Sequence, residues 1–388
     1  MAAILTPVEQ TARPSHIAFN EPNISGQEGY HLAAAIQSRK LSGDGPFTKR
    51  CQQFFEQCYG FPKVLLTTSC TDALEMSAIL ANIQPGDEVI VPAYTFVSSA
   101  NAFALRGAKL MFADSLPDNP NIDPGQIAAL ISPRTKAIVV VHYAGVVCDM
   151  DRIGEIAAQA GIVLVEDAAQ AVDSTYRGRP AGSFGTFAAF SFHETKNITC
   201  GEGGMIVVNS AEHQHRAEII REKGTNRSAF IRGEIDRYGW VDVGSSFLPS
   251  ELNAAFLWAQ LETLKDVEAR RRAIFARYMT LLSQPMAAQG VAVPDVPPEC
   301  GGNGHAFYLV CRDDAQRSRL IESLREQDIQ SATHYAGLHR SQFFFSQHDG
   351  RVLPHSDRFT NGLLRLPLHA NLTDADVDRV AEAVVACA

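Results

Sequence analysis

Three short polar stretches in this 388-residue chain follow directly on apolar runs and carry side chains able to do chemistry. In GIVLVEDAAQ (Gly161 to Gln170) a run of aliphatic residues ends in two carboxylates, Glu166 and Asp167, then small residues and an amide, Gln170. An acid at the exit of a strand can meet a ligand; the plainer reading of Asp167 is a helix N-cap. In SFHETKN (Ser191 to Asn197) a lysine, Lys196, follows the apolar FAAF and precedes the glycine-rich GEGG of Gly201 to Gly204. Most lysines are solvated surface charges, but one placed at a strand exit can be desolvated and become nucleophilic. In VLLTTSCTD (Val64 to Asp72) the apolar run gives way to hydroxyl residues at the start of a helix near Thr71. Free N–H groups and hydroxyls at a helix start bind phosphate, while simple capping by Thr68, Ser69 or Thr71 needs no ligand.

The elements that would position these groups alternate. Short β-branched runs at Val64 to Leu66, Glu88 to Val91, Leu110 to Ala113, Ala137 to Val141 and Ile162 to Val165 read as buried parallel strands. Helical segments fall between them at 72–80, 97–105 and 150–159, after two helices at 27–39 and 46–57, so the pattern is an α/β sheet covered on both faces. Two more strands, 188–192 and 205–208, are expected to extend the sheet. Functional groups in such folds gather at the carboxyl ends of strands. From Glu251 to Leu282 helix formers run without Pro or Gly, which predicts one long connecting helix, 251–284, ended by Pro285. It divides a large domain, 18–250, from a smaller C-terminal α/β domain, 285–388, with a strand near 307–311 and helices near 315–327 and 374–386.

Composition narrows the function. The formal net charge is −9, from 34 basic against 43 acidic residues, with no long basic run, which argues against nucleic-acid and anionic-membrane partners. No stretch is apolar for about 18 residues, and the opening MAAILTPVEQTARPSH has no basic leader, so a cytoplasmic enzyme without a membrane segment is expected. The eight cysteines form no CxxC pair and the histidines no HExxH, so no metal site is expected.

Taken together, an amine for a Schiff base, an acid to keep a pyridine nitrogen protonated and a helix start for a phosphate describe pyridoxal phosphate. Phe96, at the next strand exit after EVIVPAY, is placed to stack on its ring, with ordinary core packing as the alternative. The ordered segments SCTDALE, GDEVIVPAYTFVSSANA, VHYAG, VEDAAQ, SFHETKNITCGEGG and REKGTNRS resemble the DegT/DnrJ/EryC1/StrS family of sugar aminotransferases from about Ala18 to Val385. That resemblance implies a fold-type-I transferase, a homodimer with its active site at the subunit interface. Lys196 would form the Schiff base, Asp167 would pair with the pyridine nitrogen, Gln170 would reach the ring hydroxyl side, and Phe96 would stack on the ring. Phosphate contacts would come from Ser69, Cys70, Thr71 and Ser191. Where many members have an Asn that reaches the phosphate from the partner subunit, this chain reads GSSF at Gly244 to Phe247, so Ser246 takes the place with a shorter reach.

The segments SFHETKN, REKGTNRS and LSGDGPFTKRCQQ (Leu41 to Gln53) are similar to members that aminate C4 of a nucleotide-linked keto sugar. The implied reaction moves an amino group from glutamate, through the pyridoxamine phosphate form, to dTDP-4-keto-6-deoxyglucose, giving dTDP-4-amino-4,6-dideoxygalactose. The candidate substrate contacts are His193 beside the lysine, His334, Tyr335 and His339 in THYAGLH, and, for the diphosphate, Arg227 and Arg232 in an expected mobile loop 223–237. Each has a bland counterpart, a satisfied packing histidine or a solvated charge. A sugar aminotransferase of other regiochemistry or stereochemistry and a non-catalytic cofactor-binding regulator stay open. A dinucleotide-dependent hydride-transfer enzyme is disfavoured because no GxGxxG opens the first helix, and a dehydratase of the same fold because Lys196 is not His.

Overall fold

The computed structural model describes residues 16–387; the N-terminal stretch read above for a leader lies, in its first 15 residues, outside the described residues. The large sheet is built from β1 (Val64–Thr67), β2 (Glu88–Pro92), β3 (Lys109–Ala113), β4 (Thr135–Val141) and β5 (Val163–Asp167). A small hairpin follows, β6 (Thr175–Tyr176) and β7 (Arg179–Pro180), and then β8 (Phe187–Ser191) and β9 (Gly204–Val208) complete it. The order across the sheet is β1-β9-β8-β5-β4-β2-β3. Strands β8, β5, β4, β2 and β3 pair in parallel, with the small hairpin β6–β7 instead of a helix between β5 and β8, whereas β9 is antiparallel to both neighbours. The two further strands join the sheet as expected, between β1 and β5. One expectation is corrected: β1, read as a parallel strand, hydrogen-bonds only to the antiparallel β9. β8 returns directly as β9 through the loop 192–203, so those two strands run antiparallel.

Helices cover both faces. Two apolar clusters, one around Leu66, Ile138, Val140 and Met205 and the other around Leu65, Val89, Val139 and Ile206, lie on opposite sides, as alternation along each strand dictates. Helix Pro46–Tyr59 has Gly45 as its N-cap and no cap from its own side chains. Its first N–H groups are satisfied instead by Glu251, whose buried carboxylate accepts from Phe47 N at 2.8 Å and from Gly45 N and Thr48 N at 3.0 Å. A carboxylate at a helix N-terminus is favourable both as acceptor and toward the dipole.

The expected long helix is two. Helix Glu251–Glu262 stops at Thr263 (φ −111°, ψ 6°), and helix Leu264–Ala288 begins directly after. Pro285 does not end the second helix but lies inside its last turn. One backbone hydrogen bond is lost there, while Leu282 and Met286, both fully buried, hold the turn against the C-terminal core. That core forms around β11 (Phe307–Val310) and β13 (Leu363–Leu366), with the short β12 (Ala332–Thr333) at the edge and helices Asp314–Glu326 and Asp374–Cys387 packed on it. The two-residue β10 (Cys300–Gly301) pairs with β6 and joins the small hairpin in a separate three-stranded sheet, β10-β6-β7. The result is an α/β fold with a large mixed, mostly parallel sheet and a smaller C-terminal α/β unit.

Candidate active site

Strand register brings the three polar stretches to one edge. Gly204, the first residue of β9, stands opposite Thr67 of β1 on one side and Ser191 of β8 on the other. The start of helix Cys70–Leu80 therefore lies next to the end of β8, from which the Lys196 loop departs. The approach is so close that a Cβ on Gly204 would sit 2.4 Å from Cys70 N and Ser69 C, both backbone atoms. Asp167 ends β5, opposite Ala189 of β8. Pleating turns its neighbour Glu166 to the other face, where Gly182 N, Phe184 N, Gly185 N and His142 Nε2 satisfy it at 2.6 to 2.9 Å. Of the two carboxylates only Asp167 faces the ligand side.

A cavity of about 590 Å³ opens at this edge, with Ser69, Cys70, Thr71, Phe96, Asp167, Gln170, Ser191, His193, Lys196, His334 and Tyr335 all in its wall. Its size is that of a cofactor pocket. Asp167 Oδ2 accepts from Ser99 Oγ at 2.6 Å and Oδ1 from Ala169 N at 3.1 Å. Burial pushes its carboxyl above the usual range, against these two hydrogen bonds and the nearby Lys196 amine. Burial likewise draws the Lys196 ammonium down, which favours the neutral, nucleophilic amine. At the helix start Ser69 Oγ accepts from Asp72 N at 3.0 Å, and the N–H groups of Cys70 and Thr71 have no intrahelical partner. These features fit a phosphorylated pyridine: a buried acid for its ring nitrogen, an amine for its aldehyde and an N–H cradle for its phosphate.

The remaining wall is aromatic and neutral. Phe96 is 55% exposed, with its ring 6.0 Å from that of Tyr335. Gln170 is held in place, accepting from Ala144 N at 2.6 Å and donating to Tyr335 Oη at 3.0 Å. His334 stacks on Tyr335 at 3.6 Å and its Nδ1 lies 3.0 Å from Tyr143 Oη. Burial, with Arg365 and Lys196 near, holds the His334 imidazole down to about 2, so it is neutral at physiological pH. His193 Nδ1 accepts from Thr195 N at 3.2 Å, leaving Nε2 as the protonated nitrogen, 3.6 Å from Glu202.

Four expected contacts do not line the cavity of their own chain. His339 is buried outside the cavity, 3.2 Å from Asp357, and is a packing histidine. Arg227 is bound to the buried Glu222 at 2.5 Å, and Arg232 to Glu218 at 2.9 Å and Glu234 at 2.7 Å; neither reaches the cavity of its own chain. The expected loop carrying them contains a helix, Arg227–Ile231, which these ion pairs hold in place. Ser246 is exposed and bridged through its backbone to Glu222, outside the cavity. Conversely, Arg365 on β13 and His305 just before β11 line the cavity and were not read from sequence. Arg365 lies 4.6 Å from the Phe19 ring, forms no ion pair among the described residues, and keeps its buried Nε without a hydrogen-bond partner. A cation interrupting the apolar LLRLPL was the available signal.

A mostly parallel α/β sheet with this edge defines an enzyme that exchanges amino groups on a phosphorylated cofactor. The chain belongs to the DegT/DnrJ/EryC1/StrS aminotransferase family, whose profile matches residues 22–385. Members of this family are pyridoxal-phosphate enzymes. Among solved structures it is similar to the aminotransferase TlmJ from Streptoalloteichus hindustanus (30% identity, 96% of this chain and 98% of that one, TM-score 0.88). It is also similar to a sugar aminotransferase, Spr1654, from Streptococcus pneumoniae in its PMP form (26% identity, 96% and 98% covered, TM-score 0.88), a protein also solved in a PLP form. A third is DesV from S. venezuelae (30% identity, 93% and 94% covered, TM-score 0.85).

Proposed function

We propose that this chain is a nucleotide-sugar aminotransferase that moves an amino group from glutamate to C4 of dTDP-4-keto-6-deoxyglucose, forming dTDP-4-amino-4,6-dideoxygalactose. The observation that carries the reading is the single cavity that gathers Lys196, Asp167 and the start of helix Cys70–Leu80 and still leaves a wall of hydrogen-bonding side chains for a substrate. The sugar class rests on the family and on the pneumococcal relative. The C4 and dTDP assignment rests on the similarity of SFHETKN, REKGTNRS and LSGDGPFTKRCQQ to C4-aminating members.

Bound in the cavity, pyridoxal phosphate supplies an aldehyde carbon that can carry the amino group and a ring that accepts an electron pair. Lys196, its ammonium destabilised by burial, would hold that carbon, and as a free neutral amine it would take the proton from the donor's α-carbon and return one to the acceptor. Asp167 holds the ring nitrogen in its protonated state, and Ser99 and Ala169 N fix the carboxylate for that purpose. Phe96 covers one side of the ring space, and Ser69, Cys70, Thr71 and Ser191 cradle the phosphate. Arg365, a guanidinium without an ion pair among the described residues, docks the donor's carboxylate.

We assign a homodimer as the working form. The segment from Phe230 to Val243 exposes Phe230, Ile231, Tyr238, Trp240, Val241 and Val243, Trp240 to 81%. Apolar surface of that extent marks an interface. In the dimer Ser246, Arg227 and Arg232 are the candidates for reaching the partner's cavity.

The test is product analysis with dTDP-4-keto-6-deoxyglucose and glutamate. An axial amine at C4 is the expected product; an equatorial one, or amination at C3, would replace the galacto assignment while keeping the class. Borohydride reduction followed by peptide mapping should fix the cofactor on Lys196, and a label elsewhere would overturn the mechanism.

A further inference from the structure

The cavity wall opposite the helix start contains a chain of buried polar groups that the proposed mechanism does not use. Asn197, the residue after Lys196, is buried, and its Nδ2 donates to Glu268 Oε1 at 2.9 Å and to the carbonyl oxygen of Asn303 at 3.2 Å. A backbone carbonyl can only accept, so the amide cannot be turned round, and its Oδ1 is the atom that faces His305 Nδ1 at 2.9 Å. His305 must therefore donate from Nδ1. Its ring is buried, and the charged groups around it come from every packed element: Lys196 on its loop, Arg271 on the long helix and Arg365 on β13, with His334 adding to them. Burial and these cations keep the imidazole neutral. A neutral imidazole with hydrogen on Nδ1 presents a lone pair at Nε2. His305 lines the cavity, and its Nε2 has no hydrogen-bond partner among the described residues.

We propose that His305 is a specificity-determining residue, its Nε2 held as a pure acceptor by Asn197 and Glu268 so that it receives a hydrogen bond from a hydroxyl of the acceptor substrate near the reacting carbonyl. The inference rests on the aminotransferase reading and adds which chemical feature of the acceptor is read. An ammonium would be a second donor candidate, but the neighbouring Arg271 and Arg365 guanidiniums disfavour another cation there. A carboxylate has no hydrogen to give. The site thus separates a polyhydroxylated ketone from the 2-oxo acid that leaves after the donor half-reaction, which has no hydroxyl beside its carbonyl. Burial pushes the Glu268 carboxyl up to about 8, against the Asn197 hydrogen bond and the nearby Arg271; its role is to fix the Asn197 amide.

Two measurements on the cofactor-loaded enzyme test this. In protein labelled with ¹⁵N-histidine, with His305 assigned by its loss in His305→Phe, long-range proton–nitrogen spectra should show a protonated Nδ1 and an unprotonated Nε2, unchanged from pH 8 to pH 6. A protonated Nε2, or a ring that charges in that range, overturns the proposal and says nothing against the aminotransferase reading. In single-turnover kinetics His305→Phe should raise the apparent KM for dTDP-4-keto-6-deoxyglucose roughly tenfold to a hundredfold, and by at least tenfold more than for 2-oxoglutarate. Equal losses for the two acceptors overturn it. Wild-type enzyme that turns over neither acceptor, yet shows the Nδ1–H form, overturns the aminotransferase reading instead.

Discussion

Replacing Ser99 by Ala isolates the electrostatics of Asp167 without touching the cavity wall's charges. The Ser99 hydroxyl is fully buried, donates to Asp167 Oδ2 at 2.6 Å and lies 2.9 Å from Thr95 Oγ1, so it is one of only two donors to the carboxylate. A hydrogen bond to a charged group contributes about 1.5–3 kcal/mol. Its loss takes the Asp167 carboxyl further above the usual range than burial already does. A neutral acid cannot hold a ring nitrogen protonated, so the acid limb of the glutamate half-reaction, followed by stopped-flow absorbance, should move to higher pH in the variant. Stability gives an independent reading. A carboxyl whose native pKa exceeds its unfolded one binds more protons when folded, so stability falls as pH rises through the interval between the two. Ser99→Ala widens that interval upward. Urea titrations of the cofactor-free protein should therefore show the variant losing about 1.5–3 kcal/mol more at neutral pH than at pH near 4. An unchanged acid limb together with a pH-independent stability difference would refute the assignment of Asp167 as the group that Ser99 tunes.

Further outcomes follow from other contacts. Lys196→Ala should be soluble and folded, with no turnover and no borohydride-fixed cofactor; retained turnover would remove Lys196 from the chemistry. Gly204→Ala puts a methyl 2.4 Å from Cys70 N and Ser69 C. The forced backbone shift costs about 1–3 kcal/mol, and a roughly fivefold to hundredfold weaker cofactor dissociation constant is expected by equilibrium dialysis. Arg365→Gln should raise the KM for glutamate about tenfold to a hundredfold and abolish calorimetric binding of glutarate, which cannot react; unchanged glutarate binding would move the carboxylate site elsewhere. Trp240→Asp should shift sedimentation from dimer to monomer, since Trp240 is 81% exposed in the single chain.

Much of the cavity was legible because its parts sit where strands end. Asp167, Lys196 and the Ser69–Thr71 turn each follow an apolar run, and hydrophobic patterning locates strand exits well. What patterning cannot show is a charge that is buried inside a helix. Glu268 and Arg271 stand in LKDVEARRRAIFARY, which reads as a solvated charged face, yet Arg271 is enclosed and donates to the carbonyl oxygens of Gly304, His305 and Leu368 at 2.8 to 3.2 Å. Those partners lie 33 to 97 residues away along the chain, a separation no local pattern encodes. The same blindness explains His339 and His334. They are five residues apart in one segment, and only tertiary packing puts one beside Asp357 and the other on the cavity wall. The ion pairs of Arg227 with Glu222 and of Arg232 with Glu218 were likewise invisible in the local pattern.

The antiparallel return of β9 bears directly on function. Had β9 extended the sheet by another parallel crossover, the chain after β8 would have left the ligand edge through a helix, and Lys196 would have been carried away from Asp167. Instead the chain doubles back within the loop 192–203, which keeps the lysine at the edge where β5 and β8 end. The returning strand then pairs with β1, and the single residue Gly204 registers both sides, Ser191 to one and Thr67 to the other. A slip of one residue in either pairing would reverse every side chain of β9 between the two cores and separate the anion cradle from the lysine loop together. The antiparallel strand is thus what couples phosphate binding to amine placement. It also explains why the glycine at its start has no room for a methyl group.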